Sequence, residues 1–165
     1  VTVGGESSSP GGIYQFSPNT VTASNGTVIR FRFSSGGNHS VSHTSFSDPC
    51  APLGDGIDSG FAPVALGAAE VPEWSFTVID DRRPEWFVCR QTSNVSHCHA
   101  AYLGMVFAMN SDQDTFAAFQ LAAEASTAPS SSQPISPTQA GPTTLSAPGG
   151  VSSFPTKYAL VKYYP

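Results

Sequence analysis

A mainly β fold, a sandwich or barrel of short strands, is the class this sequence predicts, and three observations carry it. Short runs rich in Val, Ile, Phe and Trp recur along the first 124 residues, separated by Gly, Pro, Asn and Ser clusters. In Val28-Ile29-Arg30-Phe31-Arg32-Phe33 apolar residues alternate with Arg, the period of a strand with one wet face. Helical spacing stands out in one stretch near the end of that region.

In chain order, strands are predicted over Ile13 to Phe16, Thr20 to Ala23 and Thr27 to Phe33. A second group covers Trp74 to Ile79, Glu85 to Cys89 and Leu103 to Asn110. From Asp112 onwards Phe116, Phe119 and Ala123 recur at helical spacing behind an Asp-rich start. This predicts a short helix with an acidic N-terminus packed on the domain. From Ala125 to Thr156 there is no charged residue, and Ser, Thr, Pro and Gly dominate. Such a segment has too little apolar surface to offset the entropy of ordering it, so it reads as an extended linker carrying O-linked sugar. The run Tyr158-Ala159-Leu160-Val161-Lys162-Tyr163-Tyr164 then changes composition abruptly and is short enough for one strand. The predicted organisation is therefore a domain over 1–124, a linker over 125–156 and a terminal strand-like segment over 157–165.

Composition narrows the partners. A net charge of −5 with seven basic residues cannot supply the basic face that phosphate binding needs, so nucleic acid is not expected. Residues 1–124 hold all five arginines and all twelve acidic residues, a formal −7, whereas the remainder carries Lys157 and Lys162 alone. No apolar stretch is long enough to span a bilayer. The first residue, Val1, is read as the start of a processed, secreted product. Three acceptor sequences for N-linked sugar, at Asn25, Asn38 and Asn94, agree with that reading. Secretion makes the three cysteines informative, because pairing in an oxidising compartment leaves one over.

Two segments concentrate every Cys, every His and Met105. One is Asn38-His39-Ser40-Val41-Ser42-His43 followed by Asp48-Pro49-Cys50. The other runs from Trp86-Phe87-Val88-Cys89 through His97-Cys98-His99 to Gly104-Met105. A thiolate at a strand end, an imidazole in the following loop, a thioether at the next strand and a second imidazole from a distant loop would converge at one pole of a β-sandwich. Two imidazoles, one thiolate and a weak axial thioether are the ligand set of a blue-copper electron-transfer centre.

On these residues the stretch from Val1 to about Glu124 resembles the cupredoxins, specifically the secreted fungal cupredoxin-like proteins related to plant phytocyanins. Asn38-His39-Ser40-Val41, Phe46-x-Asp48-Pro49-Cys50, Asp58-Ser59-Gly60-Phe61, Trp86-Phe87-Val88-Cys89, His97-Cys98 and Gly104-Met105-Val106-Phe107-Ala108-Met109-Asn110 fall in the family's order. The resemblance implies a Greek-key β-sandwich with one copper at His39, Cys89, His97 and Met105 and with Cys98 bridged to Cys50. It also implies a secreted, often cell-wall-associated protein with a Ser-rich tail. Seven residues separate Cys89 from His97, and seven separate His97 from Met105, longer loops than the family usually has.

Each residue also has a plainer reading. The plainer reading of Cys89 is a buried thiol acting as a small hydrophobe, and that of His39 a surface histidine after a Gly-rich turn; the ligand reading is preferred for both. His97 and His99 flank Cys98 and, in an extended segment, would both point away from it. His43 is expected beside the site or at the surface rather than as a ligand. Met105, Phe107 and Met109 share one strand face, which makes Met109 core and leaves Met105 as core or ligand. Asp80-Asp81-Arg82-Arg83 reads as a solvated turn with local charge pairs.

No Ser-His-Asp arrangement, nucleotide loop or paired catalytic carboxylates stand out, so copper binding rather than an enzyme's chemistry is expected, with a redox partner protein. The alternative is a structural module that assembles into an oligomer or fibre by donating its tail strand, Tyr158, Leu160, Val161, Tyr163 and Tyr164, to a neighbour's sheet edge.

Overall fold

The computed structural model describes residues 1–5, 12–34, 36–93, 95–99 and 104–126, together with the backbone of 162–164. In chain order the strands are β1 (Thr2–Val3), β2 (Phe16–Ser17), β3 (Thr20–Val21), β4 (Val28–Phe33), β5 (Gly37–His39), β6 (Ser42–Thr44), β7 (Ala62–Val64), β8 (Glu73–Thr77), β9 (Glu85–Val88) and β10 (Val106–Met109). Helix α1 (Gln113–Ala125) follows, and β11 (Lys162–Tyr164) comes last. They build a sheet ordered β11-β8-β4-β1-β2, a second ordered β3-β10-β9-β6, and a two-stranded β5-β7 pair. Both larger sheets are mixed, with β1 parallel to β4 and β3 parallel to β10.

The alternation read from the sequence decides the packing. In β4, Ile29, Phe31 and Phe33 are buried while Val28, Arg30 and Arg32 face water. In β8, Trp74 and Phe76 are buried on the same sheet. These side chains meet those of the second sheet. Phe31 sits edge-on to Phe107 with centroids 5.3 Å apart, and Phe76 stacks on Phe87 at 5.5 Å. The two sheets thus face each other across an aromatic core.

The second sheet is covered on both faces. Met105, Phe107 and Met109 join the core between the sheets, whereas Val106 and Ala108 point the other way, onto Phe116, Phe119 and Ala123 of α1. That is why every residue of β9 and β10 is buried and why their runs read as almost continuously apolar. The helix begins where its sequence signal placed it. Asp112 is the N-cap, and its carboxylate accepts the Thr115 backbone N–H at 2.7 Å.

Predicted and observed elements differ at their ends and in number. Ile13 and Tyr14 precede β2 rather than lying in a strand, and Ala23 and Ile79 fall beyond β3 and β8. The short strands β1, β5, β6 and β7 were not anticipated. With two or three residues each, some of them Gly, Pro or His, they have no period to detect. Asp80 and Arg82 form the exposed local pair expected of that turn, at 2.8 Å. Of the terminal segment, the backbone of Tyr163 and Tyr164 lies in β11, while Tyr158, Leu160 and Val161 lie outside the described residues.

Cys50 and Cys98 are joined by a disulfide that ties the turn after β6 to the segment preceding β10. Its bridge spans 48 positions of sequence. Reduction should therefore lower the unfolding free energy by about 2–4 kcal/mol, read as a shift of the urea midpoint with and without reductant. Phe31 contacts the rings of Phe16, Trp74, Phe76 and Phe107. Its replacement in Phe31→Ala should cost about 3–5 kcal/mol in the same assay.

Candidate metal centre

Three segments converge at one end of the sheets. Cys89 follows β9 directly, and its backbone N–H donates to the Met105 carbonyl at 3.0 Å, which prolongs the β9–β10 ladder by one step. Met105 in turn donates its N–H to the His97 carbonyl at 2.9 Å, and the His97 N–H donates to Gln91 at 2.9 Å. The loop carrying His97 is held on both sides by the strand ends that carry Cys89 and Met105. His39 ends β5, where pairing with Ala62 of β7 sets its position.

The side chains meet in the interior. Cys89 Sγ lies 3.4 Å from His97 Nδ1 and 3.9 Å from His39 Nδ1, and the two imidazole centroids are 4.9 Å apart. The three donor atoms all lie within 4.8 Å of one another, and all three residues are buried. Tyr14 packs edge-on against the His97 ring at 4.7 Å.

Desolvation sets the charge state of this group. Burial depresses both histidines to about 4, and for His39 the neighbouring His97 adds to the effect. Burial pushes the Cys89 thiol up to about 11, partly opposed by N–H groups of Gln91 and Ser40 and by the Arg90 charge. At neutral pH the site is thus two neutral imidazoles and one neutral thiol. The imidazoles present lone pairs without losing a proton, whereas the thiol must give one up to a bound cation. Thiolate and imidazole together suit a thiophilic transition metal.

The backbone around His39 is shaped to its ring. A Cβ on Gly37 would collide with His39 Nε2, and one on Gly4 would stand 3.0 Å from it. Gly37 is not in the left-handed region, so its glycine is there for space alone. Nε2 itself is buried without a hydrogen-bond partner, so contact with Gly37 and Gly4 holds the ring that turns Nδ1 toward the sulfur.

The other predicted residues are resolved individually. His97, not His99, joins the group. His99 Nδ1 instead bonds the Ser96 hydroxyl, and the stretch is a series of bends rather than the extended segment that would have aimed both rings alike. His39 is fully buried, which removes its reading as a surface residue. The surface expectation for His43 is likewise corrected. Its Nε2 lies 2.7 Å from Glu85 and its ring packs on Phe87, buried because β6 pairs with β9. Met105 is buried in the same core cluster as Cys89, and Met109 is core as expected. Asn25 is exposed in the turn before β4, Asn38 is half-buried in β5, and Asn94 lies outside the described residues.

Sequence reasoning assigned no role to the polar chain beside the thiol. The Ser40 N–H donates to Cys89 Sγ at 3.4 Å, and Ser40 Oγ accepts the Arg90 N–H at 3.0 Å. Ser40 Oγ also contacts Ser42 Oγ, which donates to Asp58, and Asp58 is ion-paired with Arg90 at 2.8 Å. The Arg90 guanidinium lies over the Phe61 ring. In so Ser-rich a chain, Ser40 and Ser42 carry no distinguishing signal. Compared with known proteins, the chain matches no family model and no curated protein.

Gly37→Ala should keep the fold while displacing the His39 ring. Its affinity for Co(II), measured by competition titration on a variant with unchanged circular dichroism, should fall about 10- to 100-fold.

Proposed function

We propose that this chain is a secreted type 1 copper-binding protein in which His39, Cys89 and His97 would hold one copper ion, with Met105 as a weak fourth ligand. It serves to pass one electron at a time to a partner protein or to hold copper at the cell surface. The observation that supports it most is the buried group of two imidazole nitrogens and one thiol sulfur within 4.8 Å of one another. When bound, copper supplies a one-electron couple that soft sulfur stabilises as Cu(I) and imidazole tolerates as Cu(II).

The protein's own part is rigidity and exclusion of water. Each ligand comes from a different segment tied to its neighbours by backbone hydrogen bonds, so the donors hold nearly the same positions whichever charge the ion carries. The Ser40 N–H aimed at Cys89 Sγ stabilises the thiolate after its proton leaves. Met105, bonded through its backbone to both Cys89 and His97, is the residue this reading takes as the fourth ligand. Four protein donors leave no position for a substrate, so the reading is a carrier rather than an enzyme. The disulfide is in keeping with an oxidising, extracellular setting, and Asn25 is exposed, as a sugar acceptor must be. The family reading, a fungal cupredoxin, rests on the ordered motifs. Their Asp58-Ser59-Gly60-Phe61 stretch contributes contacts around Ser42 and Arg90.

A titration with Cu(II) should give an intensely blue protein at one equivalent, seen as a sulfur-to-copper charge-transfer band in the visible spectrum. Cys89→Ser should bleach it. A copper-loaded wild type without colour would refute type 1 coordination.

A further inference from the structure

The first sheet ends on β11, which follows the described residue Ser126 after a long interval of sequence. Its three residues pair antiparallel with β8, Lys162 opposite Ser75, Tyr163 opposite Trp74 and Tyr164 opposite Glu73. On its other side β8 is paired with β4. Take β11 away and β8 becomes an edge strand whose N–H and C=O groups lack a ladder partner. Between Ser126 and Lys162 stand 35 residues, none charged except Lys157. A chain of that length reaches about 120 Å when extended, several diameters of a domain of this size.

We propose that β8 is a strand-accepting edge and that it is also occupied by the terminal strand of a second copy, so that copies join head-to-tail. A ladder recognises backbone direction and register, so β8 receives a neighbour's 162–164 segment as readily as its own. What favours the chain's own strand is only proximity. For a connection of 35 residues this advantage amounts to an effective concentration of about 1 mM, and a pairing of three residues adds little that depends on being tethered. Above that concentration, as in a packed extracellular layer, a neighbour's strand wins the edge.

Donor and acceptor are different surfaces, residues 162–164 and 73–75, so the contact is heterologous. Repeated from copy to copy it stays open at both ends and propagates unless the rotation closes a ring. Charge points the same way, because a body of −7 attracts a tail carrying Lys157 and Lys162. None of this depends on copper, since Glu73, Trp74 and Ser75 are not among the metal-binding residues.

Two measurements on full-length chains test it. Light scattering after size exclusion should show the weight-average mass of wild type at least doubling between about 10 μM and a few mM, the range that brackets the effective concentration. The chain carrying Tyr163→Pro and Tyr164→Pro, which removes two N–H donors from β11, should stay at monomer mass throughout. That variant, labelled with nitrogen-15, has a vacant edge. A peptide of residues 157–165 should shift its Glu73, Trp74 and Ser75 amide signals. A wild type that remains monomeric over the whole range, a proline variant that assembles equally, or a peptide that leaves those amides unmoved would each overturn the proposal.

Discussion

The pairing of β9 with β10 is the constraint on which the rest of the structure depends. Four ladder positions run from Glu85–Met109 to Val88–Val106, and the hydrogen bond from Cys89 to Met105 carries the register one residue further. Because side chains alternate across a sheet, that register sorts both strands between two cores. Phe87, Cys89, Met105, Phe107 and Met109 face the first sheet, while Trp86, Val88, Val106 and Ala108 face α1. A slip by one residue would turn Cys89 and Met105 toward the helix and leave His39 and His97 without their sulfur.

The ligand group is a polar inclusion at the margin of an apolar core, and its surroundings show how that is tolerated. Desolvation keeps both imidazoles and the thiol neutral, so no bare charge is buried. The sulfur receives N–H groups, and His97 is reinforced by the disulfide at the adjacent Cys98. What remains uncompensated is His39 Nε2, enclosed by two glycines. Donors held in place by backbone pairing in this way suit the proposed role of carrying single electrons.

The two ends of the chain's chemistry are separate. The His39, Cys89 and His97 group lies where β5 and β9 end and just before β10 begins, whereas the edge proposed to accept a strand runs along β8 on the other sheet. The proposed assembly through β8 would therefore leave the His39, Cys89 and His97 group as it is within each copy.

Much of this was legible beforehand because it is written in local periods. The alternation in Val28–Phe33, the helical spacing of Phe116, Phe119 and Ala123, and the Asp112 cap each depend on neighbours in sequence. The donor types at Cys89, His39 and His97 were legible too, since residue chemistry does not need coordinates. Between His97 and His99 the residue pattern alone did not choose; the resemblance favoured His97, and the bends around Cys98 bring that ring, not His99, beside Cys89. Only the tertiary structure decided the place of His43, which the β6–β9 pairing buries against Glu85, and the part of Gly37, whose missing side chain matters only once a ring lies against it. Short-range order follows from the chain's own spacing, while contacts 42 to 50 residues apart, such as His43 with Glu85 and His39 with Cys89, exist only after the sheets have packed.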